Sequence, residues 1–215
     1  MTARPDGDGD WRLRLRARLN RARRALARLL LWRVVFGERS QGRWLAHTRI
    51  APSTCIEHEA GLTLGDHVYI GHFNLIEASG GVTIGEGVQI TSHCAIVTHS
   101  SHRSLRLLGR DFATWAGPGA RPGWIAGPVH IGAWSFIGPH SVIEAGTRLG
   151  RGTIVRAGSC VRGEFPDFAV LAGTPARVVG DSRAGDATLR QRYPQFRANH
   201  DARDTGPGPD DAHDR

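Results

Sequence analysis

The sequence predicts an all-β protein wound as a three-sided coil of short parallel strands, and two observations carry that expectation. The first is an aliphatic residue at every sixth position. It runs through Leu64, Ile70 and Ile76, then Ile84, Ile90 and Ile96, and after a gap Ile131, Ile137, Ile143, Leu149, Val155 and Val161. The second is the company each aliphatic keeps. Gly often follows at once, as in Ile70-Gly71, Ile84-Gly85 and Ile131-Gly132. A small or β-compatible residue stands four positions on: Val68, Asn74, Val88, Cys94, Ser135, Ser141, Thr147, Thr153 or Ser159. A period of six matches neither the helical 3.6 nor the strand's 2. It fits a coil in which the aliphatic points into a narrow core, the small residue sits at a corner and Gly permits the turn. Three such hexads make a rung, and stacked rungs align the aliphatics into ladders.

Composition agrees. With 215 residues, 40% hydrophobic, the chain can bury one core. Its 28 Gly and only 7% aromatics suit many tight turns better than a thick helical bundle. All 28 basic residues are Arg. Residues 1–50 hold 13 Arg against Asp6, Asp8, Asp10 and Glu38, which is +9; the other 165 hold 15 Arg against 16 acids, which is −1. The basicity therefore belongs to the N-terminal segment, and the body offers no surface for nucleic acid. Cys55, Cys94 and Cys160 are odd in number, widely spaced and without CxxC, as expected of small buried residues in a reducing compartment. The apolar run Leu29 to Phe36 is interrupted by Arg33 and too short to span a bilayer, so the expectation is a cytoplasmic protein.

Along the chain, residues 1–10 read as disordered and 11–45 as a basic amphipathic helix with a linker. Apolar residues recur at Leu15, Leu19, Ala22, Leu26, Leu29 and Leu30, while Arg14, Arg18, Arg21 and Arg28 occupy much of the remaining circumference. Such a helix either packs on the body or a neighbouring subunit, or lies on an anionic membrane, which would put the protein at the inner membrane face. The coil is expected over 46–180, and 181–215 as a short helix at about 187–197 followed by a frayed tail. Two breaks interrupt the period. From Ile76 to Ile84 the step is eight, with Ser79-Gly80-Gly81 forming a bulge; from His99 to about Gly127 the repeat stops altogether. A long excursion from a rigid coil is usually functional, and this loop (99–127) starts at Thr98-His99-Ser100-Ser101-His102.

Five segments carry a family resemblance: Ile70-Gly71-His72-Phe73-Asn74, Val88-Gln89-Ile90-Thr91, Thr98-His99-Ser100-Ser101-His102, Gly127-Pro128-Val129-His130-Ile131-Gly132 and Ala172-Gly173-Thr174-Pro175-Ala176-Arg177. With them, residues 60–182 resemble the bacterial hexapeptide-repeat O-acetyltransferases, above all those acting on sugars of lipopolysaccharide O-antigen and exopolysaccharide. The resemblance implies a left-handed β-helix, a homotrimer with each active site between two subunits, and transfer of an acetyl group from acetyl-CoA to a hydroxyl of a saccharide or lipid-linked saccharide, with no metal.

A sugar hydroxyl is a poor nucleophile, so attack on a thioester needs a positioned base, and histidine titrates near neutrality. His99, where the wall ends and the loop begins, matches the family's catalytic histidine; His102 is its rival and otherwise an acceptor contact. Ile76 and Ile96 should stack on adjacent rungs, which sets Glu77 beside Val97 and within reach of His99. Glu77 then either orients the base or binds acceptor hydroxyls. His72 and Asn74 fall in the family's acceptor-contact segment, although Asn is also common at left-handed corners for its tolerance of such backbone angles. Carried over by position, the CoA contacts fall near Pro139, Ala157, Arg162, Gly163 and Arg177, the two guanidinium groups suiting phosphates. Two rival readings use the same coil. One is a γ-type carbonic anhydrase-like zinc enzyme, for which His67 and His72 offer a pair of ligands; the other is a non-catalytic scaffold. Cys94 falls at a corner position, where a small residue and not a nucleophile is expected.

Overall fold

The computed structural model describes residues 10–199 and 201, so the segment at 1–9 and most of the expected C-terminal tail lie outside the described residues. Three parallel sheets wrap a single core. One face stacks Cys55–Glu57, Leu75–Glu77, Ala95–Val97, Val142–Ile143 and Cys160–Val161. A second stacks Leu62–Leu64, Val82–Ile84, Val129–Ile131, Arg148–Leu149 and Glu164–Phe165. The third runs from Arg49–Ile50 through Tyr69–Ile70, Gln89–Ile90, Phe136–Ile137 and Ile154–Val155 to Ala169–Gly173, and is closed by the antiparallel strand Ala176–Asp181. The chain visits the faces in rotation, so each strand pairs with the one a full turn later.

The hexad positions align as the period requires. Ile56, Ile76, Ile96, Ile143 and Val161 share a register row. So do Leu64, Ile84, Ile131, Leu149 and Phe165, and Ile50, Ile70, Ile90, Ile137, Val155 and Leu171. From Ile70 to Leu171 the rows are at most 4% exposed, except for half-buried Phe165. Strands of two residues present one inward side chain each, those of three on the second face (Leu62–Leu64, Val82–Ile84, Val129–Ile131) present two, and each fully buried aliphatic contributes about 1.5–3 kcal/mol. The ladder is the stability of the coil.

The corners differ from expectation in one respect. Gly after the aliphatic is not left-handed; it is needed because the next rung passes directly over it. A Cβ at Gly85 would stand 2.6 Å from the Ala133 nitrogen, and one at Gly132 2.5 Å from the Arg151 nitrogen. The left-handed residue comes two positions later, at His67 (φ 60°), Phe73 (59°), His93 (62°), Trp134 (60°) and His140 (59°). A non-Gly residue there costs about 1–2 kcal/mol. Ring contacts between rungs offset part of that, Phe73 to His93 at 5.1 Å and His93 to His140 at 5.0 Å between centroids. The small residues one step on turn inward and satisfy the corner: Ser141 and Ser159 hydroxyls both donate to the Arg156 carbonyl, and Thr147 donates to that of Glu144.

Outside the coil, helix α1 (Asp10–Ala27) continues as a wider turn over Arg28–Trp32 and ends before Phe36, where β-branched Val34 and Val35 lead to Gly37 at φ 103°. The expected linker holds a hairpin, Glu38–Ser40 against Arg43–Leu45, turned by Gln41 and Gly42, both at positive φ. The excursion is more than a loop. Its ends, His99–Ser100 and Ile125–Ala126, pair antiparallel, and it carries helix α2 (His102–Leu108). Helix α3 (Ser182–Arg192) begins earlier than expected, capped by the Asp181 carboxylate on the Arg183 N–H. Cys55 is exposed, against the expectation of three buried thiols, because its position on the first rung of its sheet has no rung beyond it.

Candidate active site

The site forms where one face ends and the excursion leaves. Register places Ile76 beside Ile96 and Glu77 beside Val97, and two residues on the chain turns outward at His99. Glu77 is 4% exposed. Its Oε2 accepts from the Thr98 hydroxyl at 2.6 Å, the Thr98 N–H at 3.1 Å and His99 Nδ1 at 2.8 Å; its Oε1 accepts from the Ser79 N–H at 2.8 Å. Burial by itself would raise this carboxyl, but the hydrogen bonds from Ser79 and Thr98 outweigh it and hold the group at about 2. Glu77 is therefore ionised at neutral pH, and only a protonated Nδ1 can bond to it. That leaves the Nε2 lone pair outward, with no hydrogen-bonding partner among the described residues.

The imidazole is held on its face as well. Trp124, on the return path of the excursion, stacks on it at 4.8 Å between centroids and 13° between planes. Beside the ring opens a cleft of about 170 Å³ lined by Val97, His99, His102, Ile125, Glu144 and Arg162, among others. His102 Nδ1 bonds to the Ser100 hydroxyl at 2.7 Å, so the rival histidine shares the cleft but lacks a carboxylate partner among the described residues. Gly163 (φ 121°) follows Arg162 at the same corner.

The remaining candidates fall elsewhere. Asn74, expected as an acceptor contact, does not open onto this cleft. It is 3% exposed, and its amide bonds the backbone of three corner residues, the Gly71 and Thr91 carbonyls and the Cys94 N–H. Nor is it the left-handed residue; Phe73 is. His72 accepts or donates at the Ser53 hydroxyl (2.8 Å) and packs against Trp32 at 4.8 Å, at the corner that enters the face of Glu77, not the one that leaves it. Pro139 and Ala157 lie exposed at that same corner two and three rungs on, where the Pro139 carbonyl accepts from the Gly158 N–H. Arg177 is exposed on the closing strand, its guanidinium donating to the Ala176 carbonyl at 2.9 Å. One chain thus brings His99, Glu77, His102, Arg162 and Gly163 together and leaves His72, Pro139, Ala157 and Arg177 apart.

The cysteines supply no nucleophile here. Cys94 is 2% exposed and burial pushes its thiol up. The zinc pair does not form: His67 and His72 sit at different corners. His67 instead stacks on His47 at 4.3 Å and 2°, beside Asp66. Parallel ring planes send their lone pairs side by side, Asp66 Oδ1 already accepts from the His47 and His67 backbone N–H groups, and Oδ2 lies 3.1 Å from His47 Nδ1, so the trio fits a metal ion poorly. Residues assigned no role at the site from sequence alone, Ser79, Thr98 and above all Trp124, complete the setting of His99. Thr98 was legible from its neighbour; Trp124 lies in a stretch without any period.

The chain is 33% identical over 155 residues to a protein of Mycobacterium tuberculosis described as a probable acetyltransferase, covering 70% of this chain and 47% of that one. It is 29% identical over 138 residues to the galactoside O-acetyltransferase of Escherichia coli, covering 60% and 62%. The chain thus spans roughly half to three-fifths of these relatives. Among solved structures, a hexapeptide-repeat acetyltransferase of Vibrio cholerae superposes with a TM-score of 0.54 at 26% identity, covering 62% of this chain and 69% of that one. A galactoside acetyltransferase in complex with coenzyme A gives 0.52 at 26%, covering 64% and 63%. No family model matches the sequence. Coil and likenesses together define a class, the hexapeptide-repeat proteins, within which the chain is similar to acetyltransferases.

Proposed function

We propose that the protein transfers an acetyl group from acetyl-CoA to a hydroxyl of a saccharide, with His99 as general base. The observation that carries the reading is the Glu77–His99 pair, an ionised buried carboxylate bonded to Nδ1 with Nε2 facing a cleft. Nε2 takes the acceptor's proton as its oxygen attacks the thioester carbon. Glu77 stabilises the imidazolium that results, and the tetrahedral intermediate collapses by breaking the C–S bond. The CoA thiolate leaves and recovers the proton from Nε2. Arg162, exposed at the rim, suits a phosphate of CoA. The cofactor is a co-substrate, and the chemistry asks for no metal.

The separation of the candidates onto two corners supports a trimer of left-handed coils. In that assembly a neighbour's corner, with His72, Pro139 and Ala157, faces the cleft of His99, and Arg177 lies along the cofactor's path. The acceptor fits polysaccharide or lipopolysaccharide synthesis at the cytoplasmic side of the membrane. The test is CoA release from acetyl-CoA, followed by a thiol reagent against a panel of sugars, with His99→Ala beside the wild type. Sugar-dependent release that falls by about 10² or more in the variant supports the reading. Equal release by both, or acetyl-CoA that does not bind at all, overturns it.

A further inference from the structure

We propose that α1 and the turn after it are a docking surface for an anionic lipid bilayer. From Trp11 to Gly37 the chain holds nine Arg and no acidic residue, and every residue from Trp11 to Trp32 is exposed. Among the described residues the coil meets this segment only beyond α1, where Leu29, Leu30 and Trp32 approach Ile50, Ile56 and His72, so α1 itself does not pack on the chain's own body. Trp11, Leu15, Leu19, Ala22, Leu26 and Leu29 follow at steps of four, four, three, four and three. At 3.6 residues per turn they fall within roughly 80° of the helix circumference. Arg12 and Arg23 border one side of this stripe, Arg14 and Arg18 the other.

Only one kind of partner answers both features. Arg bordering a narrow stripe of Leu and Trp can reach phosphate headgroups while the stripe enters the acyl boundary. Nucleic acid would meet the Arg and leave the leucines against water. A second copy of the helix would bury the leucines but set nine Arg against nine. No helix among the described residues is long and apolar enough to cross a membrane, so the surface lies on the bilayer and does not span it. The helix is joined to the coil through Trp32, whose ring packs on His72 at 4.8 Å and on Phe73 at 5.2 Å. Leu30, Leu31 and Trp32 are exposed beside that joint, at 63%, 50% and 49%, and extend the apolar surface towards the coil.

The test uses the full chain and sucrose-loaded vesicles of phosphatidylcholine, with and without phosphatidylglycerol. Wild-type protein should sediment at least about tenfold better with the anionic vesicles, and less as salt rises. A Leu15→Glu, Leu19→Glu, Leu26→Glu variant should lose sedimentation while keeping the wild-type melting temperature and oligomeric mass. Arg14→Gln with Arg18→Gln should weaken binding in the same direction. Equal sedimentation with neutral and anionic vesicles overturns the proposal. So does a leucine variant that binds as wild type does, which would reduce the surface to charge alone and favour nucleic acid. A change of oligomeric mass in that variant would assign the stripe to a second copy of the chain and overturn it too.

Discussion

Glu77 Oε2 lies 2.8 Å from His99 Nδ1, joining residues that are 22 apart in sequence and adjacent by rung register. The bond fixes the proton on Nδ1 and the lone pair on Nε2, which is the form a general base needs. Glu77→Gln keeps the size and removes the charge. We expect kcat to fall about 10²-fold or more with little change in the KM for acetyl-CoA, measured as thiol release across pH.

The same carboxyl links stability to pH. Its folded value of about 2 is below its ordinary 4.5, so the ionised form is the one folding favours. Its contribution, up to about 3 kcal/mol, is present above about pH 4.5 and lost as pH falls towards 2. Urea melts of wild type and Glu77→Gln should therefore differ most at neutral pH and converge in acid. A constant difference across that window would contradict the assignment.

Trp124 holds the face of His99 at 4.8 Å but lies outside the coil's core. Trp124→Ala should lower kcat/KM about tenfold or more through loss of ring orientation, while the melting temperature stays near wild type. Trp124→Phe should recover most of the rate. A rate loss matched by a large drop in melting temperature would show that the excursion is a folding element.

Arg162 is exposed at the rim of the cleft. Its replacement by Ala should raise the KM for acetyl-CoA about tenfold with kcat nearly unchanged, and should reduce the dependence of KM on ionic strength. Steady-state kinetics at two salt concentrations would read both.

Two glycines test what shapes the coil. At Gly132 a Cβ would stand 2.5 Å from backbone of the next rung, so Gly132→Ala should destabilise by about 1–3 kcal/mol. Gly185 lies inside α3 with open space around it, and Gly185→Ala should stabilise by about 0.5–1 kcal/mol. Denaturant melts of both variants would separate close approach from backbone entropy.

The ladder of Ile76, Ile96, Ile143 and Val161 was legible because a six-residue period repeats one spatial relationship many times. The pairing of Glu77 with His99 followed from it, since register in a coil converts sequence distance into adjacency. The left-handed role of Phe73 in place of Asn74 was not legible. Either residue satisfies the pattern, and only the backbone shows which one turns the corner and which turns inward to bond it.

The amino-acid sequence by itself determined the coil, the row each aliphatic joins, the point where the wall breaks at His99 and the basic stripe on α1. Each of these is periodic or local, so spacing along the chain is enough. Tertiary structure decided that Trp124 returns over the imidazole and that Arg162 faces the same cleft. It also set His72 and Pro139 at a different corner and left α1 uncovered. Those outcomes depend on the path of an aperiodic excursion and on three-dimensional contacts between rungs, which no repeat encodes.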